Sequence, residues 1–183
     1  LTLLMTRGVD MQKAAEALSG FMGVRRRFDL VGEADGVTIL DDYAHHPTEI
    51  AATIAAAKEL DFKRVCVVFQ PHRYSRIRLF TEVLKDEFGK AFDQADMVTF
   101  LDVYPAGETP VPGVTGRTFM QPIYDNPNRP VDLTKLDRRM QVVPFLTKTL
   151  QPGDLVITMG AGDVTSVGPE LLAALQEREK SRK

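Results

Sequence analysis

Three short runs of apolar residues constrain the fold of this chain more than anything else in it. Val65-Cys66-Val67-Val68-Phe69, Met97-Val98-Thr99-Phe100-Leu101 and Leu155-Val156-Ile157-Thr158-Met159 are each about a strand long and apolar at nearly every position. A strand with one wet face alternates polar and apolar residues. An unbroken apolar run needs burial on both faces, as in a parallel sheet with helices on either side. Segments of helical spacing lie between these runs: Thr48 to Leu60 with Ile50, Ile54 and Ala57, Ser75 to Phe92 with Leu79, Phe80, Val83, Leu84 and Phe88 on one side, Pro144 to Leu150, and a last helix from Val164 to Glu177. The pattern predicts an α/β fold with a mostly parallel sheet covered on both faces, Rossmann-like in architecture. Ahead of it the sequence predicts a helix over Asp10 to Phe21, with Asp10 as its cap and Gly20 near its end. A β-hairpin then pairs Arg27 to Glu33 with Val37 to Leu40 around Gly36. Thr118 to Asp132 fits neither period, and the charged end from Glu177 to Lys183 is expected to fray.

Composition narrows the partners. The 183 residues suit one domain, 1–183, and the 44% apolar fraction is enough for a real core. Lys and Arg number 23 against 25 Asp and Glu, a net charge of −2, which argues against nucleic acid as a partner. Cys66 is the single cysteine. It excludes an intramolecular disulfide and a Cys-rich zinc site and suits a reducing, cytoplasmic setting. No apolar run approaches the ~18 residues that span a bilayer, so no membrane partner is expected. Leu1 to Met5 is too short for a signal-peptide core, and the chain opens on Leu rather than Met. It is therefore expected to be a piece of a longer protein and to hold only part of an active site.

In sheets of this kind, ligands bind where strands end and helices begin. Asp41-Asp42-Tyr43-Ala44-His45-His46-Pro47-Thr48-Glu49 is the densest such segment. Pro47 suits a first helical position, so the loop carries two carboxylates, a phenol and two imidazoles to a helix N-terminus, which favours an anion. So many polar groups are costly to bury without purpose. A structural alternative has His46 cap the helix and Asp41 or Asp42 pair with an arginine. Adjacent histidines seldom share an ion and no H-E-x-x-H spacing exists, so no protein metal site is expected. Gln70-Pro71-His72-Arg73-Tyr74-Ser75-Arg76 follows a buried strand. Guanidinium forks at Arg73 and Arg76 suit carboxylate or phosphate oxygens, the alternative being a solvated basic turn. Arg25-Arg26-Arg27 is either a solvated patch or supplies one arginine to a phosphate. Gly160-Ala161-Gly162 resembles a dinucleotide fingerprint only weakly, because Thr165 stands where a third glycine belongs. It implies close approach to a ligand or loop, or simply a tight turn. No Walker A loop exists: Gly89-Lys90 is the only Gly-Lys pair, with Leu84 and Ala91 at the other required places. Val103 to Gly116, with three prolines and three glycines, reads as a long functional loop.

Taken in order, Gly23-Val24-Arg25-Arg26-Arg27-Phe28, the Asp41 to Glu49 segment, Phe69 to Arg76, Asp102-Val103-Tyr104-Pro105-Ala106-Gly107-Glu108 and Gly160-Ala161-Gly162 resemble the C-terminal domain of a Mur ligase. The resemblance is strong from Gly8 to Gly116 and from Leu155 to Gly168, and poor from Thr118 to Met140. Ala44 departs from it, since Gly often stands there in the family. The Gln-Pro-His-Arg-Tyr element points to the alanine-adding branch, and the His-His-Pro element is shared with the branch that recycles muropeptides. The resemblance implies an ATP-dependent amide ligase of peptidoglycan synthesis that joins L-alanine to UDP-N-acetylmuramate through an acyl phosphate. It also implies separate N-terminal UDP-binding and central domains, the latter holding the P-loop and most of the Mg2+ ligands, so that this piece alone is expected to be inactive. Arg27 would then face the ATP phosphates and Asp42 the ribose hydroxyls. Tyr43, His45, Arg73 and Arg76 would surround the amino acid and its carboxylate. His45 is the expected catalytic group, placed to accept the ammonium proton. A stand-alone nucleotide- or metabolite-binding module is the alternative from another class. An NAD-dependent dehydrogenase is disfavoured by Thr165.

Overall fold

The structure, a computed structural model, describes residues 6–8, 10–19, 24–130 and 132–182. Gly20, Phe21, Gly23 and the opening Leu1 to Met5 lie outside the described residues. Asp10 caps the first helix, α1 (Met11–Ser19), accepting from the N–H groups of Gln12 at 2.8 Å and Lys13 at 3.3 Å. Six strands then form one sheet among the described residues: β1 (Asp29–Ala34), β2 (Val37–Asp42), β3 (Arg64–Phe69), β4 (Met97–Phe100), β5 (Asp132–Lys135) and β6 (Asp154–Met159), in the order β1-β2-β6-β3-β4-β5. Only the β1–β2 hairpin is antiparallel; every other pairing is parallel.

The apolar runs of the sequence are the central strands, and successive residues of each face opposite sides. Val65, Val67 and Phe69 of β3 join one core, with Ile50, Ile54 and Ala57 of α2 (Pro47–Lys58), Phe88 of α3 (Lys85–Lys90) and Phe119, Met120 and Ile123 of α4 (Gly116–Tyr124). Cys66 and Val68 join the other, with Val142 and Leu146 of α5 (Val142–Thr149) and Val167, Leu171 and Leu175 of α6 (Val167–Lys180). Burial and the nearby Asp154 carboxylate push the Cys66 thiol up to about 12, so it is an inert part of that core.

The structure departs from the sequence reading in several places. The predicted strand over Arg27 to Glu33 begins at Asp29, because Arg26 and Phe28 take left-handed φ values of 59° and 52°. Its partner runs on from Leu40 to Asp42. The predicted helix over Ser75 to Phe92 is three pieces: a 3₁₀ turn at Tyr74–Arg76, a π turn at Leu79–Val83 and α3. The extra residue of the π turn, closed by Leu84 N–H on Leu79 O at 2.7 Å, lets Phe80 stack on Phe88 with ring centroids 4.9 Å apart. Thr118 to Asp132 resolves into most of α4 and the start of β5, a strand the sequence reading missed. Gly89 belongs to no phosphate loop: a Cβ there would meet Pro122 O at 2.6 Å, so the glycine permits α3 and α4 to touch. The charged C-terminal end does not fray at Glu177. The helix continues to Lys180, and Arg178 and Arg182 both reach Asp35 in the β1–β2 turn.

Candidate functional site

Parallel register brings the candidate loops to one edge. Asp42 and Phe69 both lie opposite Met159, and Phe69 lies opposite Phe100. The chain therefore leaves β2 at Tyr43, β6 at Gly160, β3 at Gln70 and β4 at Leu101 from the same side of the sheet.

Buried acidic groups organise this edge. Asp41, 4% exposed, accepts from Thr158 Oγ1 at 2.6 Å, Thr165 Oγ1 at 2.7 Å and Arg26 Nε at 2.9 Å. Arg26 also donates to Gly160 O. Thr165, the residue that breaks the glycine fingerprint, thus has its own task. Asp42 is equally buried and accepts from Phe28 N–H at 2.8 Å and Ala44 N–H at 2.7 Å. Each of its oxygens keeps a lone pair for another donor. The glycines of the third loop are answered by neighbouring backbone and side chains: a Cβ on Gly160 would meet Gln70 O at 2.7 Å, and one on Gly162 would meet Gln70 Oε1 at 2.5 Å and Tyr104 at 2.7 Å.

The three arginines divide their work. Arg25 is exposed, and Arg26 is the internal clamp just described. Arg27 is half-exposed, with Nη1 3.9 Å from Glu49 Oε1. The guanidiniums of Arg26 and Arg27 lie 5.0 and 5.6 Å from the Tyr43 ring centre. Arg27, Phe28, Asp42 and Glu49 share a cleft of about 420 Å³ with Ala52, Thr53 and Ala56 of α2.

His46 is the N-cap residue of α2, as the structural alternative held, and its ring edge meets Phe80 at 6.4 Å. His45 faces elsewhere. Its Nδ1 lies 3.0 Å from Tyr43 O and 3.4 Å from Glu49 Oε2. A carbonyl oxygen can only accept, so Nδ1 carries the proton and neutral His45 keeps its lone pair on Nε2. Burial alone would raise the Glu49 carboxyl. The N–H groups of His45 and His46, with the charge of His45 when it is protonated and that of Arg27, outweigh it and hold that group below its ordinary value.

The second half of the rim comes from the loops after β3 and β4. His45 and His72 meet edge to face at 6.3 Å, and His72 stacks on Tyr104 at 5.8 Å. His72 Nδ1 is buried, with no hydrogen-bond partner among the described residues. Burial first, then the charges of Arg76, Arg73 and His45, depress the His72 pKa. Arg73 follows His72 directly, and Arg76 N–H reaches back to Arg73 O at 3.4 Å, so both arginines belong to the turn that this imidazole opens. Arg73 Nη1 is 4.0 Å from Glu108 Oε1, and Arg76 makes no ion pair among the described residues. Tyr43, His45, Arg73 and Arg76 thus share a rim, with Arg27 and Asp42 in the adjoining cleft. Sequence reasoning did not single out His72, Tyr104, Glu49 or Glu108. Only their places within the quoted motifs pointed to them.

The family described as Mur ligase, glutamate ligase domain, matches residues 26–162. The UDP-N-acetylmuramate–L-alanine ligase of Pelotomaculum thermopropionicum is 44% identical over 173 residues, 94% of this chain and 36% of that protein. The same-named ligase of Mycobacterium sp. strain JLS is 47% identical over 175 residues, 93% of this chain and 34% of that one. Among solved structures, the UDP-N-acetylmuramate-alanine ligase of Thermotoga maritima superposes with a TM-score of 0.71 at 26% identity, over 100% of this chain and 36% of that chain. A murein peptide ligase from Psychrobacter arcticus gives 0.69 at 23% identity, over 89% and 32%. At that identity the second likeness speaks for the fold alone. The chain spans about a third of the length of these relatives.

Proposed function

The chain belongs to the Mur ligase family, as its glutamate ligase domain, and from that membership we propose that it is the amino-acid-binding part of a cytoplasmic, ATP-dependent ligase joining L-alanine to UDP-N-acetylmuramate in peptidoglycan synthesis. The UDP-sugar and the triphosphate loop are assigned to N-terminal and central domains beyond this chain. What supports this most is the rim itself, where the His45 imidazole, with Nδ1 on Tyr43 O, faces the His72 imidazole at the head of the turn that carries Arg73 and Arg76.

An α-amino acid offers a carboxylate and an ammonium, and the rim answers both. Arg73 and Arg76 bind the carboxylate through their N–H forks. His45 Nε2 takes a proton from the ammonium, freeing the nitrogen lone pair. That lone pair forms the new C–N bond to the activated muramate carboxyl carbon, the bond from that carbon to the phosphate oxygen breaks with its electron pair on the oxygen, and the departing phosphate takes the second proton from the nitrogen. Placing the amine and offsetting charge account for most of the catalysis. The Arg27–Asp42 cleft fits a nucleotide: a guanidinium for phosphate oxygens, a buried carboxylate with spare lone pairs for ribose hydroxyls, and an alanine-lined wall for the base. When bound, ATP supplies the phosphoryl group that activates the carboxyl. Among the described residues no group of three or more His, Cys, Asp or Glu could hold a metal ion, so no step here is drawn through Mg2+.

The test is phosphate release by the full-length protein. Release should require ATP, UDP-N-acetylmuramate and L-alanine together, and His45→Gln should lower kcat by about 10²-fold and remove the acid limb of its pH profile. Release with a tripeptide but not with L-alanine would assign the chain to muropeptide recycling. Release with neither would overturn the proposal.

A further inference from the structure

Arg73 has a backbone that no arginine adopts freely, with φ at 71° and ψ at 133°. Something must hold it there, and the loop after β4 does. Tyr104 O accepts the Arg73 N–H at 2.8 Å, while Tyr104 N–H donates to Pro71 O at 2.8 Å. Residues 72 and 104 thereby pair as a lone parallel bridge, with their rings stacked. Farther along, Glu108 N–H closes on Pro105 O at 3.0 Å, and both residues between them have positive φ, Ala106 at 50° and Gly107 at 84°. This tight turn swings the Glu108 side chain back over the Arg73–Arg76 segment. There its carboxylate accepts from Ser75 N–H at 2.9 Å and from Ser75 Oγ at 2.5 Å. The base of the loop is pinned as well: Asp102 Oδ1 accepts from Val103 N–H at 3.1 Å and Gly116 N–H at 2.7 Å.

The distances separate what Glu108 bonds from what it merely faces. Its hydrogen bonds go to Ser75, midway between the two arginines, whereas Arg73 stays 4.0 Å off. The Arg73 donors therefore remain available to an incoming carboxylate. Ser75 donation through its O–H first, and then its N–H, holds the Glu108 carboxyl below its ordinary value. We propose that Glu108 is a positioning residue for the amino-acid carboxylate: through Ser75 it fixes the turn that aims Arg73 and Arg76, so the loop after β4 belongs to the amino-acid site. This rests on the amino-acid site proposed above.

The full-length protein tests it by steady-state kinetics with ATP and the amino acid varied separately. Glu108→Ala should raise KM for the amino acid by about tenfold, as for a lost charged hydrogen bond, and leave KM for ATP within about twofold. Glu108→Gln keeps an acceptor for Ser75 and should restore KM for the amino acid to within about threefold of wild type. Gly107→Ala should behave like Glu108→Ala, because an added Cβ has nothing within 4 Å beyond its chain neighbours and it is the positive φ of the turn that a side chain disfavours. A counter-charge role predicts equal effects of Ala and Gln, or a lower KM on loss of the charge; either overturns the proposal. So does a parallel rise in KM for both substrates, the mark of a merely loosened fold. Wild-type protein without amino-acid-dependent turnover would sink the site assignment itself, whereas active wild type with indifferent variants would sink only the role of Glu108.

Discussion

At the scale of single residues, this edge of the sheet sets groups of similar type to different tasks. Arg26 and Arg27 are neighbours, yet Arg26 is spent on Asp41 and Gly160 O while Arg27 borders the cleft with Asp42. His46 caps a helix, and His45 presents Nε2 to the rim. His72 is the most constrained of the three imidazoles. Unfolded, it titrates near 6.5; folded, burial and then Arg76, Arg73 and His45 push that value down, against a smaller opposite pull from Glu108. Above about pH 6.5 both states leave it neutral and it adds nothing to the pH slope. Below that, the unfolded chain takes up a proton that the folded chain resists, so stability falls as pH falls toward the lower folded pKa. His72→Gln should therefore flatten the loss of stability between about pH 6.5 and pH 5, read from urea midpoints of the two proteins. An unchanged slope would show that His72 takes its proton as freely in the folded protein as in the unfolded one.

At the scale of elements, burial on both faces is what made the fold legible. β3, β4 and β6 announce themselves because sheet neighbours and two helical layers demand apolar side chains at nearly every position. α6 depends on the same burial. Leu171 is fully buried in the core on that face of the sheet, and Gly168 leaves room for Val31 of β1, whose side chain lies a tight 3.2 Å from where a Cβ would stand. Leu171→Ala should cost about 2–5 kcal/mol in equilibrium unfolding, and a loss below about 1 kcal/mol would mark α6 as peripheral. Elements whose cause is tertiary were not legible. β5 has four half-exposed or exposed residues, and it is a strand because β4 offers it an edge. The π turn before α3 exists because Phe80 must reach both Phe88 and His46, a demand invisible in a pattern that reads as continuous helix. Of the candidate site, the loops were readable as motifs at strand ends. Tyr104 and Glu108 were not singled out, because their role depends on β4 lying beside β3 and on a turn with two positive φ values.

At the scale of the molecule, one edge of a closed, two-faced fold carries every group assigned a role, and the core beneath it is complete. Both faces of the sheet are covered by helices of this same chain, and Asp35 in the first hairpin holds Arg178 of the last helix and Arg182 just beyond it. With both cores packed under helices of the chain itself, the 183 residues should unfold in a single cooperative urea transition. Turnover is a different matter. On the proposed function, rim and cleft supply an amine acceptor, carboxylate forks and one side of a nucleotide site, while the sequence has no Gly-Lys-Ser/Thr loop to cradle a triphosphate. Supplied with ATP, UDP-N-acetylmuramate and L-alanine, the folded chain by itself should release no phosphate above the uncatalysed rate, whereas the full-length protein should. The urea transition is the control that makes this informative. A chain that melts cooperatively and stays silent has a stable core and an incomplete site. Steady phosphate release from the chain alone would mean that it holds the whole triphosphate by itself, and the proposed division of labour between this domain and the rest of the ligase would have to be redrawn.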